Sequence, residues 1–132
     1  MHFMLDTNIC IYTIKKKPLR VLEKLNSLIP SDTCISSITL AELEYGVSKS
    51  RKPEKNRHAL SAFLAPIEIV PFNHQAAFHY GKIRTDLEKK GIMIGGMDLL
   101  IASHALSLSL TLVTNNIREF KRIPNVHLEN WA

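Results

Sequence analysis

The stretch Gly95-Gly96-Met97-Asp98-Leu99-Leu100-Ile101-Ala102-Ser103-His104-Ala105-Leu106-Ser107-Leu108 decides how the rest of the chain is read. Drawn as a helix over 97–108, it carries leucine, isoleucine or alanine on nearly every side, and a helix without a polar face is a buried one. An apolar run of strand length follows at 110–114. A buried helix therefore passes straight into a strand.

The same alternation holds on either side. Residues 2–5 read as a short buried strand and 7–16 as a helix that Pro18 helps to end. A second helix over 19–28 carries Leu19, Leu22, Leu25, Leu28 and Ile29 at helical spacing. Residues 33–35 make a brief strand, after which Ser37 is placed to cap a helix reaching about Ser50. Pro53 opens another, with Ala59, Leu60, Phe63 and Leu64 on its apolar side. A strand at 67–70 lies between Pro66 and Pro71; a helix over 74–90 is stopped by Gly91, and 125–128 offers a last short strand. Strands separated by helices imply right-handed crossovers, so the expected architecture is α/β: a mostly parallel central sheet of four to five strands flanked by helices. Ligands on such a sheet bind beyond the carboxyl ends of its strands.

With 132 residues, 45% of them hydrophobic, the chain is expected to form a single domain over 1–132 with its own core. The apolar stretch 97–110 is too short and too interrupted to span a bilayer, and from the Met-His-Phe-Met-Leu-Asp start no export signal is expected. These features place the chain in the cytoplasm, where Cys10 and Cys34 are expected as small buried thiols rather than a disulfide.

Four acids carry the chemistry. Asp6 follows the first strand directly, with Thr7 and Asn8 behind it. Glu42 lies one turn into the helix after the second strand, although its neighbour Glu44 lies nearer the face of Leu40, Leu43 and Val47, and periodicity does not choose between them. Asp98 stands in the first turn of the buried helix, where a carboxylate needs backbone amides, the helix dipole or a cation. Glu119 closes the loop Thr114-Asn115-Asn116-Ile117-Arg118-Glu119 after the fourth strand. Each acid alone has a plain alternative: helix cap, solvated helix residue or turn. All four, however, are read as falling after a strand or on the helix just after one. Oxygen ligands without thiolates favour Mg²⁺, with Mn²⁺ as the other candidate.

The net charge is +5; with four acids set aside in one pocket, 17 basic residues against the remaining eight acids leave +9 for the rest of the molecule. A basic exterior around an acidic hole suits a polyanion, and Lys15, Lys16 and Lys17, then Lys49, Arg51 and Lys52, then Arg118, Lys121 and Arg122 form the clusters. No Gly-x-Ser-x-Gly elbow, His-Glu-x-x-His pair or glycine-rich phosphate loop is present. His104 reads as a core residue. A phosphoacceptor domain is disfavoured because Ile67-Glu68-Ile69-Val70-Pro71 has no strand-end aspartate. A non-catalytic RNA-binding module and a metal-dependent DNA endonuclease stay as alternatives.

Four segments together resemble the PIN-domain ribonucleases of the VapC toxin type: Met4-Leu5-Asp6-Thr7-Asn8, Ser37-Ile38-Thr39-Leu40-Ala41-Glu42-Leu43, Ile94-Gly95-Gly96-Met97-Asp98-Leu99-Leu100-Ile101-Ala102, and Leu112-Val113-Thr114-Asn115-Asn116 with Arg118-Glu119-Phe120. The resemblance implies that Asp6, Glu42, Asp98 and Glu119 are the catalytic and metal-binding acids, and it prefers Glu42 to Glu44. Thr7, Asn8, Thr114, Asn115 and Asn116 are implied as supporting residues. Asn116 stands where many relatives have an aspartate, so Glu119 is expected to supply that charge, and Met97 replaces a residue that is often polar. The resemblance further implies hydrolysis of RNA, with tRNA and initiator tRNA in particular as substrate. It also implies a VapB-type antitoxin that blocks the site, promoter DNA bound only through that antitoxin, and a homodimer.

Overall fold

A computed structural model describes residues 1–132. The strands are β1 (Phe3–Leu5), β2 (Thr33–Ser36), β3 (Glu68–Val70), β4 (Thr111–Val113) and β5 (His127–Glu129). The helices are α1 (Thr7–Lys15), α2 (Leu19–Asn26), α3 (Ser37–Lys49), α4 (Pro53–Leu64), α5 (His74–Lys89), α6 (Gly96–Ser107) and α7 (Ile117–Phe120). The strands lie in the order β3-β2-β1-β4-β5, and every neighbouring pair is parallel. The expected four to five mostly parallel strands are thus five, all parallel.

The central strands β1, β2 and β4 are covered on both faces, so apolar residues run consecutively in them as Met4-Leu5, Cys34-Ile35 and Leu112-Val113, while the edge strands β3 and β5 are partly exposed. Met4, Cys34 and Leu112 point into one core with Leu99, Ile101, Ala105 and Phe120; the next residues, Leu5, Ile35 and Val113, point into a second core with Ile9, Val21, Leu43 and Leu60. Helices α5 and α6 pack on the first face, and α1 to α4 serve the second. Cys10 and Cys34 are buried free thiols, one in each core. No helix is long and apolar enough to cross a membrane.

Several expectations are corrected. Ser36, not Ser37, caps α3: its hydroxyl accepts from the Ile38 N–H at 3.1 Å, while the Ser37 hydroxyl accepts from the Phe72 N–H at 3.0 Å and anchors the loop after β3. The stretch read as a loop after β4 contains the single turn α7. Asp98 does not sit on a helix that follows a strand. Its helix α6 follows α5 through the Gly91–Gly95 connection, and the packing of α5 against α6 brings it to the site. Gly91, at φ +70°, ends α5 in the left-handed conformation, with the Ile92 N–H bonded to the Leu87 carbonyl at 2.9 Å.

Candidate active site

Asp6 leaves β1 at the middle of the sheet and is 4% exposed. One carboxylate oxygen accepts from the Ile9 N–H at 2.9 Å, so Asp6 does cap α1. Burial raises its pKa above the ordinary carboxylate value. The Thr114 hydroxyl and the Ile9 N–H oppose that rise, the neighbouring Glu42 adds to it, and the Asn8 N–H opposes it again.

Glu42 is half-buried on α3, and its Oε1 accepts from the Thr7 hydroxyl at 2.5 Å. Glu44 turns the other way and takes both oxygens to Arg57 on α4, at 2.6 and 2.8 Å in an exposed pair. The two glutamates are thus placed differently: Glu42 lies within electrostatic reach of Asp6 and Asp98, and Glu44 is in a surface ion pair.

Asp98 occupies the first turn of α6 but makes no hydrogen bond there, and α6 has no side-chain cap. Glu119 reaches across instead, its Oε1 accepting from the Gly95 N–H at 3.1 Å and its Oε2 from Asn116 Nδ2 at 2.8 Å. Asp98 is pushed up to about 6, first by burial and then by the charges of Glu119, Asp6 and Glu42. It is the one acid of the four without a protein donor.

Thr114 is fully buried and holds the turn into α7 by accepting from the Asn116 N–H at 2.9 Å. Asn115 donates to the Tyr12 hydroxyl at 2.7 Å, tying this turn to α1. Nothing in the sequence singles out Tyr12, because the contact joins residues 103 apart. Asn8 is exposed, and its side chain has no protein partner.

As the side chains stand, no three acid, histidine or cysteine groups form a ready ligand cage. The reason is visible in their partners. Glu42 is engaged by the Thr7 hydroxyl and Glu119 by the Gly95 N–H and Asn116, and carboxylates brought together without a cation repel. The donor set still fits a hard divalent cation, being all oxygen and holding a half-buried carboxylate that no protein group neutralises.

A cleft of about 320 Å³ begins beside Glu42 and runs between α1, α3 and α4, lined by Ile11, Ile14, Leu43, Val47 and Leu60, with Lys15 also on its wall. The nine clustered basic residues are all exposed. Arg118, Lys121 and Arg122 lie in or just after α7, close in sequence to Glu119, whereas Lys15, Lys16 and Lys17 stand at the far end of α1, about 14 Å of helix from Asp6.

Comparison with known proteins adds three findings. The family model for the PIN domain matches residues 3–126. Ribonuclease VapC2 of Rickettsia felis is 57% identical over 132 residues, covering 99% of this chain and 98% of the relative; the tRNA(fMet)-specific endonuclease VapC of Salmonella typhimurium is 50% identical, covering 100% and 99%. The structure of VapBC2 from Rickettsia felis, bound to a DNA fragment from its promoter, contains a chain that superposes with a TM-score of 0.93 at 54% identity, over 100% of both chains.

Proposed function

The chain belongs to the PIN-domain family, and we propose that it is a metal-dependent endoribonuclease of the VapC toxin type, acting on tRNA, with initiator tRNA the favoured target. Nucleases of this family depend on a divalent metal, and Mg²⁺, or Mn²⁺ in its place, suits the oxygen-only donors here. The observation that carries the reading is Asp98: a half-buried carboxylate beside three others, raised to about 6 and left without a donor, is a group made tolerable by a cation.

In this reading Asp6, Glu42, Asp98 and Glu119 would hold the metal, with Glu42 also placed to orient the attacking water. A divalent ion, when bound, lowers the pKa of that water and offsets the charge that builds on the phosphate. The protein's own part is positional. Asp6 is fixed by its cap on α1 and by Thr114, Glu42 by Thr7, and Glu119 by Gly95 and Asn116. Thr7 and Thr114 are therefore assigned as holders of carboxylates, Asn116 as the holder of Glu119, and Asn115 as the tie to Tyr12. Asn8 stays free to meet the substrate. The exposed lysines and arginines supply phosphate contacts, without which the acidic pocket would repel RNA.

The proposed partner is a VapB-type antitoxin, through which promoter DNA would be bound; the Rickettsia felis VapBC2 complex is bound to a fragment of its promoter. The apolar cleft that starts at Glu42 suits a partner segment, because apolar side chains seated there would bring it across the acids. We also propose self-association as a homodimer.

The test offers matched RNA and DNA strands to the purified chain with Mg²⁺, with Mn²⁺ and with excess chelator. The expected outcome is cleavage of RNA only, lost in chelator and restored by either ion. Full cleavage in chelator by protein freed of contaminating nucleases would remove the metal mechanism. RNA binding without cleavage under any divalent ion would favour the binding module, and cleavage of DNA the endonuclease.

A further inference from the structure

His104 is a buried titratable group that the reaction above does not use. It is 1% exposed on α6, and its Nδ1 lies 2.8 Å from the Ser36 hydroxyl, across 68 residues of sequence. Ser36 is itself fully buried, ends β2 and caps α3. The hydroxyl already accepts from the Ile38 N–H, so its single proton is free to be given to His104. Donation in that direction leaves Nδ1 as acceptor and the proton on Nε2, and burial, which lowers the imidazole pKa, keeps the ring neutral. Phe72 meets the ring edge-on at 5.4 Å and is itself fastened to Ser37 by its N–H. The ring thus touches the start of α3 and the loop after β3 at once.

The two ends of this contact are placed alike relative to the acids. Glu42 comes six residues after Ser36 on α3, and Asp98 six residues before His104 on α6, about 9 Å of helix in each case. Glu42 is tethered to α1 through Thr7, but no hydrogen bond holds the Asp98 side chain. The spacing of Asp98 from Glu42 therefore depends on how α6 is docked against α3, and the Ser36–His104 bond is the buried polar contact between them. A displacement of about 1 Å between reacting groups is enough to cost a catalyst heavily.

We propose that Ser36 and His104 act as a positioning pair that sets the docking of α6 on α3, and so determines how well Glu42 and Asp98 hold a divalent cation together. This rests on the metal-dependent reading of the site. Neither residue touches the substrate or the metal in this assignment.

The experiment measures Mn²⁺ binding to the full chain by calorimetry, and beside it single-turnover RNA cleavage and metal-free RNA affinity, for His104→Leu, Ser36→Ala, the double variant and His104→Asn. His104→Leu and Ser36→Ala should each weaken Mn²⁺ binding about fivefold and slow cleavage about tenfold at saturating Mn²⁺, with RNA affinity unchanged. The double variant should be no worse in metal affinity and rate than Ser36→Ala alone, because both single changes remove the Ser36–His104 bond and Ser36→Ala already includes the loss of the α3 cap. His104→Asn keeps an acceptor near the Nδ1 position and should recover most of both losses. A contact that only stabilises the fold would lower the melting temperature in every variant and leave metal affinity and rate alone. Folded His104→Leu and Ser36→Ala variants with native Mn²⁺ affinity and rate would overturn the proposal, and so would losses that multiply in the double variant. If His104→Leu does not fold, the loss in Ser36→Ala set against a near-native His104→Asn decides, and a native Ser36→Ala or a His104→Asn as poor as Ser36→Ala would overturn the proposal. A native chain that binds Mn²⁺ but cleaves no RNA would sink the ribonuclease reading while the affinity comparison still judged the pair; a native chain that binds no Mn²⁺ would overturn both.

Discussion

Asp6 and Asp98 stand at the starts of two helices and within electrostatic reach of each other, yet the protein treats them differently. Asp6 is almost fully buried and hydrogen-bonded, and it would have a structural role even with no chemistry to perform. Asp98 is less buried but has no donor, while the cap position in front of it is served by Glu119 from another segment. Both are aspartates at a helix start, Asp6 as the cap of α1 and Asp98 within the first turn of α6. Counting partners separates them: an acid that the fold satisfies says little about function, and one that it leaves unsatisfied says much.

The sharpest way to break this comparison is to neutralise each aspartate. Asp98→Asn and Asp6→Asn should each slow single-turnover cleavage by at least about a hundredfold, on the order of 3 kcal/mol of transition-state stabilisation. Thermal melting without metal should then part them. Asp98→Ala should be as stable as the native chain or more so, since it removes a charge that nothing neutralises. Asp6→Ala should lose the cap on α1, a cost of about 1 kcal/mol. An equal loss of stability in both would mean that Asp98 has a structural partner after all.

The glutamates come next. Glu42→Gln should be nearly as damaging as the aspartate changes, because its carboxylate faces the same pocket and only Thr7 holds it. Glu119→Gln should be intermediate, at roughly tenfold to thirtyfold, or about 1.4 to 2 kcal/mol. The amide keeps an oxygen for Gly95 or Asn116 but not the charge. A Glu119→Gln enzyme as dead as Asp98→Asn would make that charge indispensable, and one with the native rate would leave Glu119 a tie between α7 and the start of α6.

A smaller effect follows from pH. Asp98, raised to about 6 in the fold from 3.8, keeps its proton longer in the folded than in the unfolded chain. The metal-free protein should therefore lose stability as pH rises through the interval between those values, with the full penalty present above about 6. A divalent ion must displace this proton, so the rise in melting temperature on adding Mn²⁺ should grow from pH 5 to pH 7. At a hundred times the dissociation constant the gain amounts to about 2.7 kcal/mol. Asp98→Asn should flatten the metal-free slope, and a slope that survives in it would point to Asp6, whose pKa is also raised.

Much of this arrangement was readable from the residues, and what was not has physical causes. The parallel sheet followed from apolar runs broken by helical periodicities, because strands covered on both faces must be apolar throughout. Asp6 and its strand could be placed from local order alone. The cap of α3 could not, since Ser36 and Ser37 are both able to cap and the choice depends on what else each hydroxyl meets: His104 for one, the Phe72 N–H for the other. Helix α7 spans four residues, too few for a period to declare itself. Glu119 on Gly95, Asn115 on Tyr12 and His104 on Ser36 join residues 24, 103 and 68 apart, and no single sequence carries such contacts on its face.

The smallest expected effect comes from Glu44, and it sharpens the comparison by its absence. Glu44 lies two residues from Glu42 on the same helix, but its carboxylate is held below the usual range by Arg57, in a pair whose side chains are 43% and 47% exposed. Exposed pairs of this kind contribute little, because water screens the attraction and both side chains lose freedom in forming it. Glu44→Gln should therefore cleave RNA at the native rate, bind Mn²⁺ as the native chain does, and melt at a temperature barely distinguishable from it. The decisive measurement sets single-turnover rates of Glu42→Gln and Glu44→Gln side by side at saturating metal, with folding checked by melting. If Glu44→Gln were the inactive one while folded, and Glu42→Gln the active one, the orientation of α3 would be wrong, and the four-acid site built on it would fail with it.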